Sequence, residues 1–268
     1  MMVAAATEGA EDSAPVDASH RGRLRSNTAR CAPQKSPGVA MSLTIVVHGA
    51  NGRMGQAVCA LVDAAPDLRL LPLTRGSWPA SIISPAVVVD FSLPPALPAL
   101  LQHCRSAGLP LVSGTTGLDP SLEQAMQSLA AEVPVLWAAN FSLGVALLRR
   151  AAVDLARRLP SDWDCGLLDL HHRHKLDAPS GTARMLAQSV DAARPAGARA
   201  TDVASVRLGE VPGEHRIVFA GPSERIELAH HADRRDLFAA GALLAARWLA
   251  TQPAGRYQFD DVVDAGVD

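Results

Sequence analysis

The sequence predicts an α/β fold, a doubly wound parallel sheet followed by a smaller α+β domain, and three observations carry that expectation. From Ser42 onward, short apolar runs alternate with helical patterns, as successive βαβ units require. A glycine-rich turn joins the first apolar run to the first helical pattern. After Asn140 the alternation gives way to a long helix and then to strands with little between them.

The elements follow in order. "LTIVVHGA" reads as the first strand, and "RMGQAVCALVDAA" places Met54, Val58, Leu61 and Val62 on one helical face. "DLRLLPLTR" returns as a second strand and "AVVVDFS" as a third, closed by Ser92, Pro94 and Pro95. "PALPALLQHCRSAG" supplies a helix that stops at Gly108. "LPLVSGTTG", a helix over "PSLEQAMQSLAAE" and the strand "VPVLWAANFS" complete a dinucleotide-type domain over 42–140. In the second domain, 141–236, a long helix over "LGVALLRRAAVDLARRL" leads into "DCGLLDL", a polar loop and a helix from Thr182. The runs "VASVRLG", "HRIVFAG" and "ERIELAHHA" then predict an antiparallel sheet with helices on one face. The remainder, 237–268, reads as an amphipathic helix and tail returning to the first domain.

With 268 residues and a net charge of −2, the chain has enough length for a large core and no charge excess that suggests nucleic acid as a partner. Aromatics are only 4% of residues while apolar residues make up 48%, which suits helices on a sheet better than a β-sandwich. Cys31, Cys59, Cys104 and Cys165 are widely spaced, as expected for reduced thiols in a cytoplasmic protein. No apolar run approaches the roughly 20 residues that cross a bilayer, so no membrane partner is expected. Residues 1–41 lack periodicity and are rich in Ala, Ser and Pro, which predicts disorder, with Met41 immediately before the first structured segment. The acids Glu8, Glu11, Asp12 and Asp17 argue against a transit peptide there.

Two stretches carry chemistry. In "VVHGANGRMGQAV", Gly49, Gly52 and Gly55 lie between strand and helix, where glycine permits a tight bend and close approach of a pyrophosphate to the helix N-terminus. At the end of the second strand, where an acid would bind the ribose of NAD, stand Thr74 and Arg75. The guanidinium there favours the 2′-phosphate of NADP. "SGTTG" ends another strand at the same carboxyl edge, where ligands gather in open α/β sheets. The second stretch, "DLHHRHKLDAPSGT", admits three readings. His171, His172 and His174 lack the usual spacing of a zinc site, so no metal is expected. A solvated basic loop is the second reading. The third is an anion site in which Ser180, Gly181 and Thr182 open a helix whose free amides bind a carboxylate, pointing to a small dicarboxylate.

This second stretch resembles the E-x-H-H-x-x-K-x-D-x-P-S-G-T-A signature of the 4-hydroxy-tetrahydrodipicolinate (dihydrodipicolinate) reductase family. "GANGRMGQ", "VDFS", "SGTTG", "AANFSLGV" and "ERIELAHHADRRDLFAAGAL" are similar to that family's other blocks, in order, from about Leu43 to about Leu249. The resemblance implies a Rossmann-like first domain, a substrate domain that also builds a homotetramer, and use of NADPH or NADH. It implies that Gly49, Ala50, Asn51, Gly52, Arg53 and Met54 hold the pyrophosphate and Arg75 the ribose phosphate. Gly114, Thr115, Thr116, Ala138, Ala139, Asn140 and Phe141 would then face the nicotinamide. His171 and Lys175 match the proton-transfer residues, and His172, Lys175, Ser180, Gly181 and Thr182 the substrate-carboxylate contacts. The implied reaction adds hydride to a cyclic conjugated imine after loss of water, in diaminopimelate and lysine biosynthesis. The segment from Arg75 to Val87 is short for the family.

Overall fold

The structure, a computed structural model, describes residues 42–73, 78–79 and 81–266. The predicted disordered extension 1–41 and the predicted phosphate ligand Arg75 lie outside the described residues.

The first sheet has six parallel strands in the order β10-β5-β4-β3-β1-β2. These are β1 (Leu43–His48), β2 (Leu68–Leu73), β3 (Ala86–Asp90), β4 (Leu111–Ser113), β5 (Pro134–Trp137) and β10 (Gly255–Tyr257). Its central strands are apolar on both faces because helices cover both. Ile45, Val47, Val87 and Val89 pack with α1 (Arg53–Asp63) and α6 (Leu237–Leu249). The alternate residues Val46, Val88, Leu111 and Val135 pack with α2 (Leu97–Ala107) and α3 (Pro120–Ala130). The helices begin and end on local signals. The Asp119 side chain accepts from the Leu122 amide at the start of α3, and Gly108 closes α2 at φ 64°.

The second sheet runs β7-β6-β8-β9. Its strands are β6 (Asp164–His171), β7 (Asp202–Arg207), β8 (Glu214–Ala220) and β9 (Arg225–His231). One face packs on α4 (Leu143–Arg158) and α5 (Gly181–Ala193) through Cys165, Leu167, Ile217 and Phe219. The expected antiparallel sheet is corrected here: β7 pairs parallel to β6, while β8 and β9 are antiparallel. The reason is the helix α5, which carries the chain back across the sheet before β7 begins. The tail also holds a strand and a helix that periodicity did not suggest. β10 extends the first sheet beside β5, and α7 (Phe259–Asp264) lies on α4. Arg149 bonds Asp260 there, and Arg150 reaches Asp264 at 2.6 Å. No helix among the described residues is long and apolar enough to cross a membrane.

Candidate functional site

The turn after β1 has the geometry that a bound pyrophosphate needs. Gly49 adopts φ +79°, and a Cβ there would come within 2.9 Å of the Phe91 carbonyl oxygen. A Cβ on Gly55 would overlap the Gly49 carbonyl, so α1 is able to pack directly onto the turn only with glycine in that place. Gly52 caps α1 without a side-chain bond, leaving first-turn amides open to an anion.

Asp90, fully buried at the end of β3, holds the next loop. It accepts from Ser113 Oγ at 2.8 Å, Thr115 Oγ1 at 2.7 Å and the Ser92 amide at 3.1 Å, and His48 Nδ1 lies at 2.8 Å. Burial pushes its carboxyl up, but these bonds more than offset that and keep it below the ordinary carboxylate range. Trp137 Nε1 donates to the Thr115 carbonyl at 2.8 Å, fixing the loop against β5.

Across from this edge stands a polar row built by strand register. On β6, Asp169 and His171 share the face that Cys165 and Leu167 turn toward the helices. Asp169 pairs with Ser205 of β7 on one side and with His215 of β8 on the other, and His215 pairs with His230 of β9. One row therefore reads Ser205, Asp169, His215, His230 across all four strands, directly beyond the apolar row Val203, Leu167, Ile217, Leu228. Asp169 is fully buried. Its Oδ2 accepts from the Ser180 amide at 2.8 Å, Arg207 Nη2 at 2.9 Å and Ser205 Oγ at 3.1 Å. Burial raises its pKa, yet the bonds from Ser180 and Arg207 prevail and hold it at about 2. Its Oδ1 lies 2.9 Å from His171 Nδ1 and 3.6 Å from His215 Nε2. Burial and the neighbouring imidazole pull His215 down to about 4. Burial, with Lys175 and Arg207 close by, lowers His171 despite the carboxylate.

The loops that these two assemblies support border one cleft of about 1180 Å³. Arg53, Met54, Thr116, Ala138, Ala139 and Asn140 form one wall. His171, His172, Lys175, Ser180, Gly181 and Thr182 form the facing one. Asn140 Nδ2 donates to Thr182 Oγ1 at 3.1 Å, joining the two. Lys175 Nζ lies 2.8 Å from Asp177 Oδ1. Ser180 caps α5 by accepting from the Ala183 amide at 3.1 Å, and its own amide, expected to be free for a ligand, is taken by Asp169 Oδ2 at 2.8 Å. Gly49, Ala50, Asn51, Gly52, Gly114, Thr115 and Phe141 do not line the cleft itself. Phe141 is core, edge-on to Phe91 and Phe259, and Thr115 is turned inward onto Asp90.

Sequence reasoning missed Asp169, Arg207 and His215, and also Arg235 and Arg256, which line the cleft. Asp169 opens the quoted stretch, where the family signature has Glu, and its parity with His171 was the available signal; the others become neighbours only through strand pairing or the returning tail. Asp169, His171 and His215 also offer three ligand atoms within 4.8 Å of one another. The ligand atoms meet at Asp169 Oδ1, but the Arg207 guanidinium on Oδ2 already balances the carboxylate charge and would repel a cation beside it, so the donor set fits a proton site better than a metal site.

Comparison with known proteins agrees with this arrangement. Residues 43–141 match the family model for the N-terminus of dihydrodipicolinate reductase, and residues 144–263 match the model for its C-terminus. The 4-hydroxy-tetrahydrodipicolinate reductase of Xanthomonas euvesicatoria pv. vesicatoria is 42% identical over 238 residues, covering 83% of this chain and 98% of that protein. That of Stenotrophomonas maltophilia is likewise 42% identical, covering 82% of this chain and 98% of the relative. The fold is similar to that of a dipicolinate-bound dihydrodipicolinate reductase from Paenisporosarcina sp. TG-14, with a TM-score of 0.67 and 22% identity over 81% of this chain and 98% of that one.

Proposed function

The chain belongs to the dihydrodipicolinate reductase family, and from that premise we propose that its cleft is where NADPH or NADH reduces 4-hydroxy-tetrahydrodipicolinate to tetrahydrodipicolinate with loss of water. The observation that carries this reading is a single cleft lined by the first turn of α1, at Arg53 and Met54, and by a cationic loop plus the helix N-terminus of α5. When bound, the reduced nicotinamide supplies the hydride.

The protein's own groups do the rest. The amides at the start of α5 hold one carboxylate, which takes the place of the Asp177 carboxylate at Gly181, and His172 and Lys175 hold the charge at the other end of the substrate. The Ser180 cap and the Asp169 bond to the Ser180 amide fix the start of α5, so its backbone is already in place when the substrate arrives. Lys175 stabilises the negative charge that hydride addition leaves on the ring, and His171 returns a proton to it. Arg53 and Met54 face the pyrophosphate, while Thr116 and the 138–140 segment face the nicotinamide.

The same reading makes the assembly a homotetramer and the compartment the cytoplasm. Support for self-association comes from the second sheet, whose face opposite α4 and α5 carries Leu168, Leu170, Val206 and Val218 with no helix over it among the described residues. Cys59, Cys104 and Cys165 are unpaired, as a reducing compartment favours.

The test is NADPH oxidation that depends on freshly generated substrate. Lys175→Ala should lower kcat by roughly 10²- to 10⁴-fold with NADPH affinity unchanged. Near-normal turnover in that variant would remove Lys175 from the chemistry, and absence of substrate-dependent oxidation in the unaltered protein would overturn the assignment.

A further inference from the structure

A proton donor with two nitrogens needs one of them fixed, and the environment of His171 is asymmetric. Nδ1 is buried, and Asp169 Oδ1 lies 2.9 Å away. Neither atom has an aligned hydrogen bond to any other group among the described residues. A bare Nδ1 would set a lone pair against a carboxylate, whereas an Nδ1–H satisfies both atoms after a small rotation of the ring. Asp169 is unable to swing away, because its other oxygen is held by Ser180, Ser205 and Arg207. The opposite nitrogen, Nε2, is turned toward Gly213, where a Cβ would stand only 2.9 Å from it. The glycine leaves that nitrogen uncovered, beside Pro212 on the cleft wall.

From this geometry we propose that Asp169 is a positioning residue for the reduction, holding His171 with hydrogen on Nδ1 so that Nε2 alone takes up a proton and passes it to the substrate. The proposal rests on the reading of His171 as proton donor given above. Its proton count closes. The resting ring carries hydrogen on Nδ1, uptake of one solvent proton at Nε2 gives the imidazolium, and transfer of that proton to the reduced substrate's carbanionic carbon restores the neutral ring. Asp169 stays a carboxylate throughout, stabilising the imidazolium as it forms.

Four charged or titratable groups face His171: Asp169 favours the imidazolium, while Lys175, Arg207 and His215 oppose it. A substrate with two negative charges beside Lys175 offsets that opposition, so the ring gains its proton with substrate bound. Removing the charge of Asp169 leaves the opposing cations unanswered.

The experiment compares pH profiles of kcat for the unaltered enzyme, D169N, D169E and H171Q, with NADPH affinity as a check on folding. The alkaline limb reports the proton at Nε2. D169N should move that limb down by at least about one pH unit and lower kcat about tenfold or more at neutral pH, while D169E should restore its position. Histidine ring ¹⁵N spectra of the unaltered enzyme, with the His171 signals identified by their loss in H171Q, should show hydrogen on Nδ1; this readout stands even where D169N fails to fold. Hydrogen on Nε2 in the resting enzyme, or an unmoved alkaline limb in a folded D169N, overturns the proposal. Near-normal turnover in H171Q overturns the reading beneath it as well, so the two failures are told apart.

Discussion

His215 is enclosed by groups that resist its protonation: the apolar strands beside it, His171 on one flank and His230 on the other. Its pKa is about 4 against an ordinary 6.5. The folded protein therefore refuses a proton that the unfolded chain accepts. The sign follows from linkage: this contribution is complete above roughly pH 6.5 and is lost as the pH falls through about 4. The loss amounts to about 3 kcal/mol. Asp169, held at about 2, adds a further loss from roughly pH 4 downward. Chemical denaturation of the unaltered protein and of His215→Gln at pH 7 and pH 4.5 checks this. The variant should be less stable at pH 7 and lose less on acidification; parallel losses would refute it. At this scale legibility depends on contiguity. The run from His171 to Thr182 was readable because chemistry and helix start lie together in sequence. Arg207 and His215 were not, because nothing in their own neighbourhoods says that register brings them to Asp169.

At the scale of elements, α5 joins stability to the site. Ser180 begins it, with Oγ accepting from the Ala183 amide, and the Ser180 amide itself is held by Asp169. Ser180→Ala removes the cap and should cost about 1 kcal/mol of stability. It should also raise the KM for substrate while the KM for NADPH stays put, because only the facing wall of the cleft is loosened. Thermal unfolding and steady-state kinetics with each substrate varied give both numbers; an unchanged substrate KM would mean that the helix start does not bind it. Elements announced by local chemistry were legible, as Ser142, Asp119 and Ser180 all cap helices with side-chain bonds. Two features were not. Whether β7 runs parallel or antiparallel leaves no mark on an alternating strand, since each face buries the same residues in either direction. β10 has three residues and exists by pairing with β5, a partner more than a hundred positions away.

At the scale of the whole molecule, the two faces of the second sheet differ in what covers them. Cys165, Leu167, Ile217 and Phe219 are sealed by α4 and α5. On the other face, no described helix packs over Leu168, Leu170 and Val218, and Val206 and Leu208 are 37% and 48% exposed. Apolar side chains from three adjacent strands lie together there, and a second copy of the chain presents the same surface, so a two-fold contact matches apolar area to apolar area. Charges on the same face, Arg216 directly beside Leu168 on β8 and Arg225 and Glu227 on the edge strand β9, allow oppositely charged groups to meet across such an axis. Leu168 is the best point to interrupt it, because β6 lies inside the sheet and the residue points away from the core that stabilises the fold. On the proposed homotetramer, Leu168→Lys should therefore reduce the solution mass from that of four chains toward that of one or two, with the circular dichroism spectrum preserved. Light scattering after size exclusion reads the mass directly. An unaltered protein that elutes as a single chain at micromolar concentration, or a folded Leu168→Lys variant that keeps its full mass, would show that this face is not where the copies meet.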